Sequence, residues 1–294
     1  MPFEFPPIDV WLLWTGNCPS ELPVHEVSVE EESRAARYRI PEKSRQFLLG
    51  RLLGRQIVAS QWGCSPRDLL WPTSGVPRVT LPSGERPGTI SLSHSENFLA
   101  IALAPIEFRL GVDIESVANS PLARAREDAI SSELELEPVE GLDPEYFRNE
   151  MRRTFSLAEA EFKTQEVDSP FDFLQSSFHG DSRVDFIQWL MSRYSDQQDD
   201  VVSARSASNT FFLQRNAAIA PAEWCVQLTS FPTAEFIGSV AIAPRDVATI
   251  PEDSHWKWDW SLTPSDAIPD ELRTELGIWG AEFRRLQFRL TPAG

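Results

Sequence analysis

The sequence predicts an α+β chain made of two similar halves, and three observations carry that expectation. Short apolar runs rich in small and β-branched residues recur along the 294 residues, at Ile8–Trp14, Thr89–Leu92, Phe98–Ala104, Leu110–Glu115, Glu223–Leu228 and Ala234–Ala243, and read as strands. Between the first two lies Glu42–Trp62, where Phe47, Leu48, Leu52, Leu53, Ile57 and Val58 recur near a period of 3.6, and Gly63 closes the helix. Finally, Glu96-Asn97-Phe98-Leu99-Ala100-Ile101-Ala102-Leu103-Ala104-Pro105 is echoed by Ala234-Glu235-Phe236-Ile237-Gly238-Ser239-Val240-Ala241-Ile242-Ala243-Pro244. Each run closes a unit that opens with a helix, as an internal duplication would. The expected organisation is residues 1–108, then 109–250 with a long insertion at about 164–209, then a tail over 251–294.

Composition sets the outer limits. Hydrophobic residues make up 41 % of the chain, with 10 Trp and 18 Phe, enough for a sizeable core. No run approaches the ~18 consecutive apolar residues of a membrane span. The N-terminal run is short, carries Asp9, and no Lys or Arg precedes Arg34. That is not a secretory leader, so a cytoplasmic protein is expected. Cys18, Cys64 and Cys225 are odd in number and far apart, which fits buried thiols and not a zinc site. The net charge of −17 argues against a nucleic-acid partner and an anionic membrane surface. The charge is uneven, however. Ser33–Gln56 holds seven basic residues against one acid, and Glu127–Glu150 nine acids against one Arg. The basic stretch is a candidate anion site; the acidic one reads as a solvated face.

Taken in order, Ile8–Trp14 is a buried strand. Ser28-x-x-Glu31 fits a capping box at the start of an acidic helix. Pro41 disfavours helix at Ile40 and separates that helix from Glu42–Trp62, whose Arg45, Arg51 and Arg55 lie off its apolar stripe. Trp71–Arg78 is a turn-rich loop. Thr89–Leu92 and Phe98–Ala104 form a hairpin whose loop carries His94 between Ser93 and Ser95. Ser116–Glu150 holds acidic helices, and Phe186–Met191 within the insertion a short one. In the tail, Asp266–Leu286 reads as helical.

Two stretches carry the chemistry. On a strand over Leu110–Glu115, Val112 and Ile114 face one way, Asp113 and Glu115 the other, with alternate side chains roughly 6.5–7 Å apart. Two carboxylates side by side are a common solvated strand edge; brought out of water they are unfavourable without a cation, and Mg²⁺ takes one or two carboxylates together with substrate phosphates. Phe155–Lys163 reads as a helix start in which Glu159 and Lys163 share a face. A third carboxylate and an ammonium can thus meet the first two, which is equipment for a phosphate ester. The same residues also fit structural devices. Ser156-x-x-Glu159 is a capping-box pattern, and Glu159–Lys163 is a helix pair worth about 0.2–0.5 kcal/mol. A serine-hydrolase reading of Ser93 and His94 fails, because there is no G-x-S-x-G elbow and adjacent strand residues point apart.

These blocks together resemble the signature of the Sfp-type 4'-phosphopantetheinyl transferases, a (V/I)-G-(V/I)-D-x-E strand followed downstream by (W/F)-(S/C/T)-x-K-E-(A/S)-x-x-K. Gly111-Val112-Asp113-Ile114-Glu115 matches the first. Phe155-Ser156, Glu159-Ala160 and Lys163 match the second, and Ser91-Leu92-Ser93-His94-Ser95 matches the family's S-H-S block. The resemblance runs from about Val10 to Ala243.

The resemblance implies a pseudo-dimer of two α+β halves with coenzyme A in the cleft between them. It implies that Arg37, Arg45, Gly75, Arg78, Ser93, His94 and Lys163 bind coenzyme A, and that Asp113, Glu115 and Glu159 hold Mg²⁺ across the pyrophosphate. A serine hydroxyl of an apo acyl or peptidyl carrier protein would attack the β-phosphate, with Glu159 as base and Lys163 and His94 on the phosphates. The carrier could belong to fatty-acid, polyketide, peptide-synthetase or lysine biosynthesis. Two similar halves in one chain favour a monomer. Two positions depart from the family: Gly-Lys-Pro is Gly75-Val76-Pro77 here, and Lys-Glu is Ala158-Glu159. Arg78 is the candidate substitute for the first lost lysine. A non-catalytic coenzyme A- or carrier-binding member of the same fold is the alternative reading.

Overall fold

The computed structural model describes residues 7–19, 22, 27–73, 77–116, 156, 159–160, 162–164, 202–206, 209–215, 224–231, 234–245, 256–262, 267–278 and 280–292. Its elements are β1 (Ile8–Trp14), α1 (Val29–Ala35), α2 (Pro41–Trp62), β2 (Gly88–Ser95), β3 (Phe98–Pro105), β4 (Phe108–Ser116), β5 (Val202–Ser206), β6 (Asn209–Arg215), β7 (Trp224–Phe231), β8 (Ala234–Pro244), β9 (Trp256–Leu262), α3 (Asp270–Ile278) and β10 (Glu282–Pro292). Helical residues also occur at 156, 159–160 and 162–164. The fold is α+β. It divides into one unit of Met1–Leu110 with Pro244–Gly294, and a second of Gly111–Ala243.

The first unit is a five-stranded sheet of order β2-β3-β1-β10-β9, each neighbouring pair antiparallel. Helix α2 covers one face. Its Leu49, Leu52, Leu53, Ile57 and Val58 are buried with Trp11 and Leu13 of β1, Leu99, Ile101 and Leu103 of β3, and Leu272 and Leu276 of α3. The expected stripe is therefore shifted by one residue at its start, with Phe47 and Leu48 half-buried and Leu49 in the core. The helix ends on Gly63, whose φ of 65° is the left-handed cap glycine favours. At α1 the predicted capping box is complete: Ser28 Oγ accepts from Glu31 N at 3.2 Å, and Glu31 Oε2 accepts from Ser28 N at 2.8 Å.

The tail completes this sheet. Strand β10 pairs with β1 from Ile8↔Phe288 to Trp14↔Glu282, and with β9 on its other side. Asp9, buried in β1, accepts from Arg285 Nε and NH2, both at 2.9 Å, and from Gln287 Nε2 at 3.0 Å. The helix expected over Asp266–Leu286 is shorter than that, because α3 ends at Ile278. Gly280 then takes a φ of 66°, β10 begins at Glu282, and over residues 285–288 the pattern alternates, with Leu286 and Phe288 buried and Arg285 and Gln287 half-buried. A period of two is a strand, whatever the local helix propensity.

The second unit holds a sheet of order β4-β8-β7-β6-β5. Strands β5 and β6 form an antiparallel hairpin; β5 falls inside what reads as a polar insertion, while β6 starts at its last residue, Asn209, and runs beyond it. The remainder of that insertion, including Phe186–Met191, and the acidic run after Ser116 lie outside the described residues. The two echoed sequences occupy equivalent places. Strand β3 sits between β2, its hairpin partner, and β1, the first strand of its unit; β8 sits between β7, its hairpin partner, and β4, the first strand of its own.

Candidate functional site

The second unit brings its three candidate metal ligands together. Strand β4 buries both faces: Val112 and Ile114 on one, Asp113 (1 % exposed) and Glu115 (7 %) on the other. Glu159, from the helical segment, supplies the third carboxylate, and one oxygen from each of the three lies within 4.8 Å of the others. The set fits a hard divalent cation. On an octahedral ion with ~2.1 Å bonds, adjacent oxygens stand about 3 Å apart and opposite ones about 4.2 Å, a side-chain adjustment from this spread.

Lys163 lies on the same group. Its Nζ donates to Val112 O at 2.8 Å and to Asp113 Oδ1 at 3.1 Å, and pairs with Glu159 Oε1 at 3.1 Å. Burial alone would lower its pKa. The charges of Asp113 and Glu159 reverse that and raise it above the ordinary lysine value, so the ammonium keeps its proton at neutral pH. Three carboxylates and one ammonium thus converge, with Asp113 and Glu115 buried.

The basic stretch of the first unit is used differently from its expected role as an open anion site. Arg55 is 4 % exposed and Glu31 0 %. Arg55 NH2 donates to both Glu31 carboxylate oxygens at 3.1 Å and its NH1 to Leu69 O at 2.7 Å. Arg51 Nε stands 3.7 Å from Glu31 and its guanidinium lies over the Trp71 and Phe47 rings at 4.9 and 5.1 Å. Burial pushes the Arg51 pKa down to about 10 against the pull of Glu31, still charged at pH 7. These two arginines hold α2 to α1 and to the 66–72 segment. Arg45 donates to Cys18 O at 2.7 Å and more weakly to Thr15 O and Pro19 O, fixing the loop after β1. Arg37 and Arg39 remain exposed.

Arg78 is exposed and lines a cavity of about 730 Å³ with Arg67, Thr73, Thr80, Ser28 and Trp71. Arg67, on the turn after α2, has no motif signal in the sequence; only the cavity links it to Arg78. Gly75, Val76 and Ala158 lie outside the described residues. His94 belongs to strand β2 and not to a loop: β2 runs to Ser95, which pairs with Phe98, and the turn is Glu96-Asn97 with Glu96 at a φ of 51°. Alternation then exposes His94 and turns Ser93 (8 % exposed) to the opposite, buried face. Gln46 of α2 donates to Glu96 O and ties this hairpin to the helix.

No family model matches the chain. Over 122 residues it is 30 % identical to a Synechocystis sp. protein provisionally named a 4'-phosphopantetheinyl transferase. The match takes in 40 % of this chain and 47 % of that protein, so the chain spans about half the length of the relative it matches. No helix among the described residues is long and apolar enough to cross a membrane.

Proposed function

We propose that this protein transfers the phosphopantetheine group of coenzyme A to a serine of an apo carrier protein in a Mg²⁺-dependent reaction. The observation that carries the reading is the convergence of Asp113, Glu115 and Glu159 beside Lys163. The named relative supports the same class of chemistry. The twin-half architecture is part of the proposal, supported by the equivalent places of β3 and β8.

The reaction forms a bond between the serine oxygen and the β-phosphorus and breaks the one to adenosine 3',5'-bisphosphate. Asp113, Glu115 and Glu159 would hold the metal, which neutralises charge on the phosphoryl and leaving oxygens when bound. Glu159 would take the serine proton at a carboxylate oxygen, a general-base contribution of typically 10²–10⁴-fold. Lys163, charged and fixed by Val112 O, would stabilise the transferring phosphate. In the first unit, His94 and Arg37 would contact the phosphates, with Ser93 and Arg45 holding their surroundings and Gly75 leaving the loop backbone open to the nucleotide. Arg78, joined by Arg67 on the same cavity, would replace the charge that Val76 does not supply.

Mass spectrometry of an apo carrier domain incubated with the protein, coenzyme A and Mg²⁺ tests this. The expected result is a mass gain of one phosphopantetheine that Asp113→Ala abolishes. The missing lysines at Val76 and Ala158 favour the second reading, a non-catalytic binder of coenzyme A or carrier. A carrier that is bound but never modified would establish that one instead. Within the first reading, Arg78→Ala is expected to weaken coenzyme A binding, and unchanged affinity removes Arg78 from the site.

A further inference from the structure

Gly111 lies inside β4, two residues before Asp113 and four before Glu115. A Cβ built there would stand 1.8 Å from Ala160 O, 2.8 Å from Ala160 C and 3.0 Å from the Lys163 Cβ. The obstacle is backbone, which cannot swing aside as a side chain can. Glycine is not required there for conformation: among the described residues, positive φ angles at glycine occur at Gly63, Gly84 and Gly280 only. Glycine weakens a strand interior, and its presence there without a special φ marks a close approach by another backbone.

What approaches is the turn that carries the rest of the candidate metal centre. Ala160 follows Glu159 directly, and Lys163 is the residue whose Nζ reaches Val112 O and Asp113 Oδ1. We infer that Gly111 is the positioning residue of the metal centre: its missing side chain lets the helix seat its backbone against β4, which brings Glu159 and Lys163 to Asp113 and Glu115. Any side chain at 111 forces the helix back by about 1 Å or more, while such a site needs its groups held within ~0.5 Å. Glu159 then no longer closes the ligand set, although Asp113 and Glu115, on β4 itself, stay where they are. Other glycines provide a contrast. A Cβ at Gly50 of α2 would meet Leu99 at 3.6 Å, an ordinary contact.

The inference rests on the metal reading above, and the test separates the two. Mg²⁺ and Mn²⁺ binding to the full chain, with no other ligand, is measured by calorimetry for wild type, Gly111→Ala and Gly50→Ala, well below each melting temperature. Gly111→Ala is expected to bind at least tenfold more weakly, Gly50→Ala like wild type. Asp113→Asn added to Gly111→Ala is expected to cost less than Asp113→Asn alone, because the ligand set is already open. A merely structural glycine would lower the melting temperature and leave the affinity and this non-additivity unmoved. If Gly111→Ala lacks a cooperative melt, Ala160→Val enlarges a fully buried residue on the same helical turn and is expected to weaken metal binding too. Affinity within twofold of wild type in the folded variant overturns the inference alone. A wild-type chain that binds neither ion overturns the metal reading and this inference with it.

Discussion

The two units bury charge in opposite ways. In the first, Glu31 meets Arg55 and Arg51, and Arg55 spends its remaining donors on carbonyls. The acid is fully matched, and the cluster locks two helices together. In the second, Asp113, Glu115 and Glu159 converge, with Lys163 paired to Asp113 and Glu159. Taking charge out of water costs several kcal/mol per ion unless it is compensated; the first cluster meets this with guanidinium donors on both oxygens of one acid, whereas the second turns three carboxylate oxygens toward one another, the arrangement a cation would bind. Convergence of like charges thus separates a candidate functional cluster from a structural one, where burial alone would not.

This contrast can be broken by substitutions whose effects should cross. The largest effect expected is on transfer: Glu159→Gln should lower the rate of carrier modification by roughly 10²–10⁴-fold, while chemical unfolding without metal shows stability unchanged or raised. Glu31→Gln should do the reverse. Removing one partner of a buried pair costs about 3–5 kcal/mol, read as a lower denaturant midpoint, and metal affinity should not change. If Glu31→Gln is mild and Glu159→Gln unfolds the protein, the contrast is wrong.

The first unit should also refuse charge that has no partner. Burial pushes the Cys18 thiol up to about 11 from its ordinary 9.0, despite the nearby Arg45. The folded state therefore keeps a proton that the unfolded state loses. Stability is expected to be full below pH 9 and to fall as the pH rises from 9 to 11, by on the order of 1–2 kcal/mol after solvent screening. Unfolding curves across that range should show the decline, and Cys18→Ala should flatten it. The smallest effect sharpens the second cluster. Lys163→Met removes the ammonium beside the carboxylates and should tighten Mn²⁺ binding by roughly tenfold through lost repulsion, even as transfer fails. Weaker binding would mean that Lys163 orders the site more than it repels the ion.

Local pattern made much of this legible. Alternation along Leu110–Glu115 and the four-residue spacing of Glu159 and Lys163 name four side chains that the structure gathers. Ser28-x-x-Glu31 marks the start of α1, and the period of α2 marks its buried face. What stayed hidden depends on contacts distant in sequence. Glu31 and Arg55 are 24 residues apart, and nothing local distinguishes Arg55 from an arginine in water. Asp9 and Arg285 are 276 apart, so β10 reads as the continuation of a helix until its partner β1 is seen. The place of His94 turned on one residue, Glu96, adopting a left-handed φ. Gly111 matches a motif as a letter, but its role needs the 1.8 Å approach of Ala160 O.

The insertion of β10 between β1 and β9 has a consequence for how the chain matures on the ribosome. Among the described strands β1 is made before the others, yet its neighbour β10 is the last of them, so the β1 edge stays open until residues 282–292 have emerged. The second unit, encoded wholly inside that interval, is available to fold during synthesis. The nascent first unit then exposes an apolar β1 edge of the kind that invites mispairing, and chaperone capture at this stage is expected to centre on residues 8–14.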